Sequence, residues 1–100
     1  MDMPEKLELK PERVQQHLAR LPRWALGPDG RGIERVRKHT STTRATEFAA
    51  LVCRLASTQR QPVTVGLEGR KVVVTLTGHP VRGCVGGLTD AVFHLAELIG

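Results

Sequence analysis

Aromatic residues and cysteines are scarce in this chain. Aromatics make up 3% of its 100 residues, as Trp24, Phe48 and Phe93. We therefore expect a core built mainly of Leu, Val and Ala. The two cysteines, Cys53 and Cys84, form no CxxC motif, which argues against a disulfide framework and against a zinc site. We predict no metal site and no cofactor.

Long apolar runs are also missing, and none approaches the length that crosses a membrane. The first residues, Met1 to Glu5, show no apolar segment of the kind found in a secretory signal. We predict a cytoplasmic protein that does not enter a membrane. Acidic residues are outnumbered 10 to 15 by Lys and Arg, giving a net charge of +5. This charge favours acidic partners, although a basic surface that keeps a small protein in solution explains it as well.

The length suits one domain. Residues 1–9 are polar without a clear period and are predicted to form a flexible N-terminal arm, leaving residues 10–100 as a single domain. Pro11 is well placed to open a first helix, which Pro22 stops. A short strand over 23–26 and a turn precede a second strand over 33–39. Because that second strand is mostly charged, we expect one of its faces to be wet.

The central helix is predicted to begin near Thr42 or Thr43. Its apolar residues recur at helical spacing, and further apolar residues widen this surface well beyond one stripe. Such a helix needs two surfaces to pack against. The sheet supplies one, and the same helix of another subunit supplies the other most simply. We therefore predict a homodimer or homotetramer formed through the residues Ala45, Phe48, Leu51 and Val52.

A hairpin follows, with β-branched strands over 62–67 and 71–77 and a short turn at Glu68-Gly69. Thr89 can cap a last helix, whose inward face is predicted to carry Leu88, Val92, Leu95 and Ile99. The resulting order is α-β-β-α-β-β-α. This order predicts an α+β fold with a four-stranded antiparallel sheet and helices packed on one face.

Several features of this order resemble the pterin-4α-carbinolamine dehydratase family over about residues 9–99. Trp24 begins the first strand, and Pro62 follows the central helix. The strand over 72–79 ends in His79, and the sequence over 87–89 opens the final helix. The resemblance implies the family's fold and a site at the matching positions.

The family's central motif is His-His-Pro, and the matching residues here are Arg60, Gln61 and Pro62. The third histidine of the family matches His79. The aspartate that the family carries in its last helix falls near Val92. The resemblance therefore implies a site in which most of the residues that transfer protons have been exchanged.

Dehydrating a carbinolamine needs an acid for the leaving oxygen and a base for the nitrogen-bound proton, and histidine suits both roles. Arg60 stays charged and Gln61 does not titrate. We therefore predict His79 as the catalytic residue and Arg60, Gln61 and Pro62 as substrate-binding residues. The alternative for Arg60 is a cation that stabilises the end of a helix.

The other histidines, His17, His39 and His94, lie on segments that look solvated, and no spacing brings them together as metal ligands. Asp90 is expected on the same solvated face of the last helix as His94.

Three functions remain. The first is a carbinolamine dehydratase-like protein with a degraded acid–base motif, which acts on or binds a small, anionic molecule rather than dehydrating pterins efficiently. If it is active, it is a lyase. The second is a non-catalytic dimerisation or assembly module that binds another protein. The third, nucleic-acid binding, is disfavoured because aromatic residues for base stacking are scarce. It would depend on the basic run of Arg31, Arg35, Arg37 and Lys38.

Overall fold

A computed structural model describes residues 9–28, 30–78 and 87–100 of the chain. Helices and strands follow one another in the predicted order. They are α1 (Pro11–Ala19), β1 (Ala25–Leu26), β2 (Gly32–Lys38), α2 (Thr42–Gln59), β3 (Val63–Glu68), β4 (Lys71–Thr77) and α3 (Asp90–Ile99).

The four strands form one antiparallel sheet in the order β1-β2-β4-β3. Leu76 of β4 lies between Ile33 of β2 and Val63 of β3, which fixes the register of the sheet. Residues that lie directly opposite each other share a face, so this row continues in steps of two toward the other end of the sheet. The predicted α+β fold is confirmed.

One face of the sheet carries the core. Val72, Val74 and Leu76 alternate with half-buried residues along β4, as a strand covered on one face requires. α2 and α3 cover that face. The largest fully buried side chains are Phe93, Ile33, Leu76, Leu95, Val52, Val72, Val74 and Val92. The predicted inward face of α3 is confirmed, because Leu88, Val92, Leu95 and Ile99 are all buried.

The helix ends show which residues satisfy the first free backbone amides. The hydroxyl of Thr89 accepts a hydrogen bond from the backbone N–H of Val92 at 3.4 Å, as predicted. At α2 the cap is Ser41, whose hydroxyl accepts from the N–H of Arg44 at 3.1 Å. The predicted caps, Thr42 and Thr43, are instead the first residues of the helix. Serine is as good an N-cap as threonine, so sequence preference alone does not separate neighbouring positions.

The second strand differs from its prediction on one point. Arg35 is only 4% exposed and lies on the same face as Ile33, beneath the helices. Its guanidinium donates a hydrogen bond to the backbone oxygen of Gly100. Arg35 can be buried because Gly100, just after α3, supplies a hydrogen-bond acceptor for its guanidinium.

The central helix corrects the predicted subunit interface. Ala45, Phe48 and Val52 are buried within this chain, and only Leu51 of the four proposed interface residues is exposed, at 45%. The spacing of the buried residues places them on the single face that packs against the sheet. They therefore cannot also contact a second subunit, and only the outer face of α2 could do so.

In the described ranges, no helix is both long and apolar enough to cross a membrane. Over these same residues, there is also no group of three or more His, Cys, Asp or Glu side chains that could hold a metal ion.

Candidate functional site

The motif at residues 60–62 forms the junction between α2 and β3. Arg60 has φ 56° and ψ 40°, the left-handed conformation, and is the only non-glycine residue with positive φ in the part of the chain that the structure describes. The N–H of Arg60 donates to the oxygen of Ser57 at 3.1 Å, and that of Gln61 donates to the oxygen of Ala56 at 2.9 Å. This pair of bonds is a Schellman motif, which usually places glycine where Arg60 stands.

The same junction lies beside the end of β4. Val63 is paired with Leu76. If that antiparallel register is continued, Pro62 faces Thr77 and Gln61 faces Gly78. Both Gln61 and Pro62 are half-buried, whereas Arg60 is exposed. The predicted binding residues therefore lie at the end of the sheet where β4 finishes. The predicted catalytic residue, His79, follows Gly78 directly but lies outside the described residues.

Gly78 and Gly87 are packed against each other at this end of the sheet. A Cβ atom added to Gly78 would collide with the backbone oxygen and carbon of Gly87. Only glycine permits so close an approach of two backbones. The end of β4 therefore lies against Gly87, close to the cap of α3.

Near Val92, where the resemblance places the family's aspartate, the expected position carries no carboxylate. Val92 is fully buried on the inward face of α3. The nearest carboxylate in the sequence, Asp90, makes a different contact. Its Oδ1 lies 3.0 Å from Nε2 of His17 on α1, and the imidazole stacks on Phe93 with ring centroids 4.4 Å apart and planes within 8°.

The pairing of His17 and Asp90 was not predicted, because both residues were expected on solvated surfaces. The side chain of His17 is only 18% exposed, although that of Asp90 is 54% exposed. The two residues are 73 positions apart. No local spacing or periodicity could have indicated a contact between helices so distant in sequence.

His39 also differs from its predicted surroundings. Its ring centroid lies 5.1 Å from that of Phe48, and its buried Nε2 has no hydrogen-bond partner in the described ranges. Burial lowers the pKa of His39 below its usual 6.5, and the positive charges of Arg37, Arg35 and Arg44 lower it further. His39 follows the end of β2 that pairs with Lys71, so it lies at the opposite end of the sheet from the motif.

The described part of the site is thus polar and cationic. Arg60 offers a fixed charge, Gln61 offers a donor and an acceptor, and Val92 is apolar. Arg60 and Gln61 can recognise a ligand, whereas Val92 is buried, and none of the three can exchange a proton near neutral pH. Only His79, among the positions that match the family's motif, has a side chain suited to that exchange.

Comparison with known proteins agrees with this fold. The family model for pterin 4 alpha carbinolamine dehydratase matches residues 7–100. Curated proteins give no match. The chain is similar to the crystal structure of a transcriptional coactivator/pterin dehydratase from Brucella melitensis, with 22% sequence identity and a TM-score of 0.77. That likeness covers 93% of this chain and 95% of the other.

Proposed function

The chain belongs to the pterin 4 alpha carbinolamine dehydratase family, and from this premise we propose that it binds a small anionic molecule at the family's site without dehydrating pterins efficiently. The observation that carries the proposal is the left-handed Arg60 at the junction of α2 and β3. The family's fold supports this site, while most of the residues with proton-transfer chemistry, all but His79, are exchanged in the sequence.

The exchange removes groups that the family's reaction needs. Protonating the leaving oxygen and removing the proton from nitrogen are separate tasks, and a positioned acid or base contributes about 10²–10⁴-fold to a rate. Arg60 and Gln61 supply neither function, and Val92 supplies no carboxylate. His79 alone would have to carry any remaining dehydration. The expected lyase activity is therefore low.

The conformation of Arg60 supports a role in binding. Any residue with a Cβ costs roughly 1–2 kcal/mol in the left-handed region, and glycine would avoid that cost. Strain of this kind is common at ligand sites. Against this, a cation at a helix C-terminus stabilises the helix by about 0.3–1 kcal/mol. Because the two effects are similar in size, stability and binding must be measured separately.

The ligand class follows from the side chains. A guanidinium presents a planar fork of donors that matches a carboxylate or a phosphate. Gln61 beside it can donate to one polar group and accept from another. We therefore expect a small molecule with one anionic group and a neighbouring polar edge.

A thermal-shift screen of pterins, small carboxylates and small phosphates tests this binding role. The variants are Arg60→Gly and Arg60→Lys, with Arg54→Gln as a control for an exposed cation on α2. In Arg60→Gly we expect an unchanged or higher unfolding midpoint without ligand and the loss of the shift that a pterin or a small carboxylate induces. Arg60→Lys should keep part of that shift, and Arg54→Gln all of it. A pterin-induced or carboxylate-induced shift that survives Arg60→Gly would overturn the binding role.

A dehydration assay tests the chemistry. We expect the wild-type rate with a pterin carbinolamine to be close to the uncatalysed rate. The double variant Arg60→His/Gln61→His should raise it by about tenfold or more, because it restores two groups that titrate near neutrality. A wild-type rate well above background that is abolished in His79→Ala would show an efficient dehydratase and contradict the proposal.

An assembly role is the second candidate, and the outer face of α2 favours it. Leu51 is 45% exposed, and the neighbouring Ala50 and Cys53 are exposed as well. Leu51 is the one large apolar side chain that α2 leaves exposed, so it is the candidate contact of such an interface. We propose that this face forms a homodimer or homotetramer.

If this face also binds another protein, the chain would act as a non-catalytic module. A pull-down that yields no protein partner would count against that module role. The cytoplasmic location stays a prediction.

A further inference from the structure

Two lysines face each other at the end of the sheet opposite to Arg60. Lys38 of β2 and Lys71 of β4 are direct partners in the register. They lie on the face that the helices leave open, as does the exposed Val36. Like charges directly opposite each other on two strands destabilise a sheet. The fold therefore bears a cost here that an anion would relieve.

A depression of about 280 Å³ lies at this position and is lined by Lys38, His39, Glu68, Arg70 and Lys71. Its lining contains three cations and one carboxylate. Glu68 lies 3.3 Å from Lys71, but its side chain is 71% exposed. An exposed pair of this kind contributes little and is screened by salt. The depression therefore keeps an excess of positive charge.

The walls of the depression are held together by the backbone. The N–H of His39 donates to the oxygen of Arg70 at 2.9 Å, which joins the end of β2 to the turn between β3 and β4. Arg37 and Arg44 lie near enough to His39 to act on its charge. The first turn of α2, which begins three residues after His39, holds no acidic residue. The cations that line the depression itself, Lys38, Arg70 and Lys71, are what favours a bound anion.

We propose that this depression is a second ligand site, which binds a small phosphate-bearing anion. The guanidinium of Arg70 can bind two phosphate oxygens side by side, and the two lysines act as point charges. Lys71 and Thr77, the two ends of β4, are six residue steps apart, so the site lies about 20 Å from the family's site. It is therefore separate from that site and independent of the proposed function.

Nucleic acid fits the depression less well than a small phosphate. Single strands are bound by aromatic rings that stack on successive bases, alongside a groove that follows the backbone. In the described lining, His39 holds the only ring, and that ring packs against Phe48. Arg35, which belonged to the predicted basic run, is buried and bound to Gly100. The run therefore does not form one continuous exposed track.

Calorimetry and thermal unfolding with inorganic phosphate, at constant ionic strength against chloride, test the site. The test variant is Lys38→Gln/Lys71→Gln. The control Lys10→Gln/Arg54→Gln removes two exposed cations elsewhere, so the net charge matches. We expect the test variant to raise the phosphate dissociation constant by about tenfold or more, since hydrogen bonds to charged groups are the strong ones. Without phosphate, its unfolding midpoint should be unchanged or higher, because the repulsion is gone. The control should bind phosphate like the wild type.

Three results would overturn the proposal, and a fourth comes from the variant Arg60→Gly. The first is wild-type protein that does not bind phosphate, and the second is a test variant that binds it as tightly as the control does. The third is a short single-stranded oligonucleotide that binds with steep salt dependence where inorganic phosphate does not, which would indicate a nucleic-acid surface instead. The variant Arg60→Gly separates the two sites. Phosphate binding that persists in Arg60→Gly places the anion at the lysines, and binding that Arg60→Gly abolishes places it at the family's site and contradicts this inference.

Discussion

His17 and Asp90 join the first helix to the start of the last one. Nε2 of His17 lies 3.0 Å from Oδ1 of Asp90, and the His17 ring is stacked on Phe93. The contact brings together two residues 73 positions apart. α1 otherwise has only one buried residue, Val14. The pair is thus one of the few side-chain contacts that hold this helix in place.

Removing either partner should loosen α1. We expect His17→Ala to lower the free energy of unfolding by about 1 kcal/mol, since it removes the stacking on Phe93, which contributes about 0.5–1.5 kcal/mol. Asp90→Ala removes only the partly exposed polar contact and should lower it by less. Urea unfolding of both single variants and the double variant measures the coupling between them. His94→Ala, at an exposed position on α3, is the control and should change stability by no more than about 0.5 kcal/mol. Losses that add without coupling would show that the two side chains do not interact.

Arg35 and Arg37 differ in burial although both lie on β2. Arg35 is buried and donates to the oxygen of Gly100, whereas Arg37 is exposed with its guanidinium carbon 4.7 Å from the centre of the Phe48 ring. Burial lowers the pKa of Arg35, as do Arg37 and Arg23, yet a guanidinium remains charged.

We therefore expect Arg35→Ala to cost about 2–4 kcal/mol of stability, because it leaves a cavity and an oxygen without its donor. Arg37→Ala should cost less than about 1 kcal/mol, the scale of an exposed cation–π contact. Chemical denaturation measures the free energy of unfolding of the two variants and shows whether Arg35→Ala loses more stability than Arg37→Ala. Equal losses would mean that the contact between Arg35 and Gly100 contributes nothing in solution.

His39 predicts a pH dependence with a definite sign. Its pKa in the folded protein lies below the usual 6.5, first because of burial and then because of Arg37, Arg35 and Arg44. The unfolded chain therefore takes up a proton at a higher pH than the folded protein does. The contribution of neutral His39 to the free energy of unfolding should be fully present above about pH 6.5. It should be lost as the pH falls from there through the lower pKa of the folded state.

The variant His39→Gln removes that titration and should flatten this part of the profile. Urea midpoints measured between about pH 5 and pH 7.5, the range in which histidine titrates, compare it with the wild type. Gln15→Ala, which changes an exposed side chain that does not titrate, is the control and should leave the slope unchanged. A slope that is identical in His39→Gln and the wild type would refute the assignment.

Much of the fold could be read from local patterns. The hairpin of β3 and β4 was predictable because β-branched residues are dense on both sides of a short turn at Gly69, which has φ 60°. The inward face of α3 was predictable because its apolar residues follow the helical period. In α3 the pattern within one segment also determines which side is buried.

The remaining features depend on contacts that no local pattern records. Arg35 is buried because Gly100, 65 residues away, supplies an acceptor. The face of α2 that contacts the sheet could not be told from its outer face, because apolar residues surround most of the helix. For the site, the sequence indicated the junction at Arg60. The role of His79 stays a prediction.

Leu51 and Val52 are neighbours on α2 but should respond to substitution in different ways. Val52 is fully buried, so Val52→Glu places a charge in the core and should unfold the chain, at a cost above about 4 kcal/mol. Leu51 lies on the outer face, so Leu51→Glu should leave the unfolding of the single chain almost unchanged.

If this face joins subunits, Leu51→Glu should convert the oligomer to a monomer in light scattering at micromolar concentration. Thr43→Glu, an exposed charge in the first turn of the same helix, should leave the oligomer intact. An oligomer that persists in Leu51→Glu would exclude the outer face of α2 as the interface, because a new carboxylate in an apolar contact cannot be satisfied there.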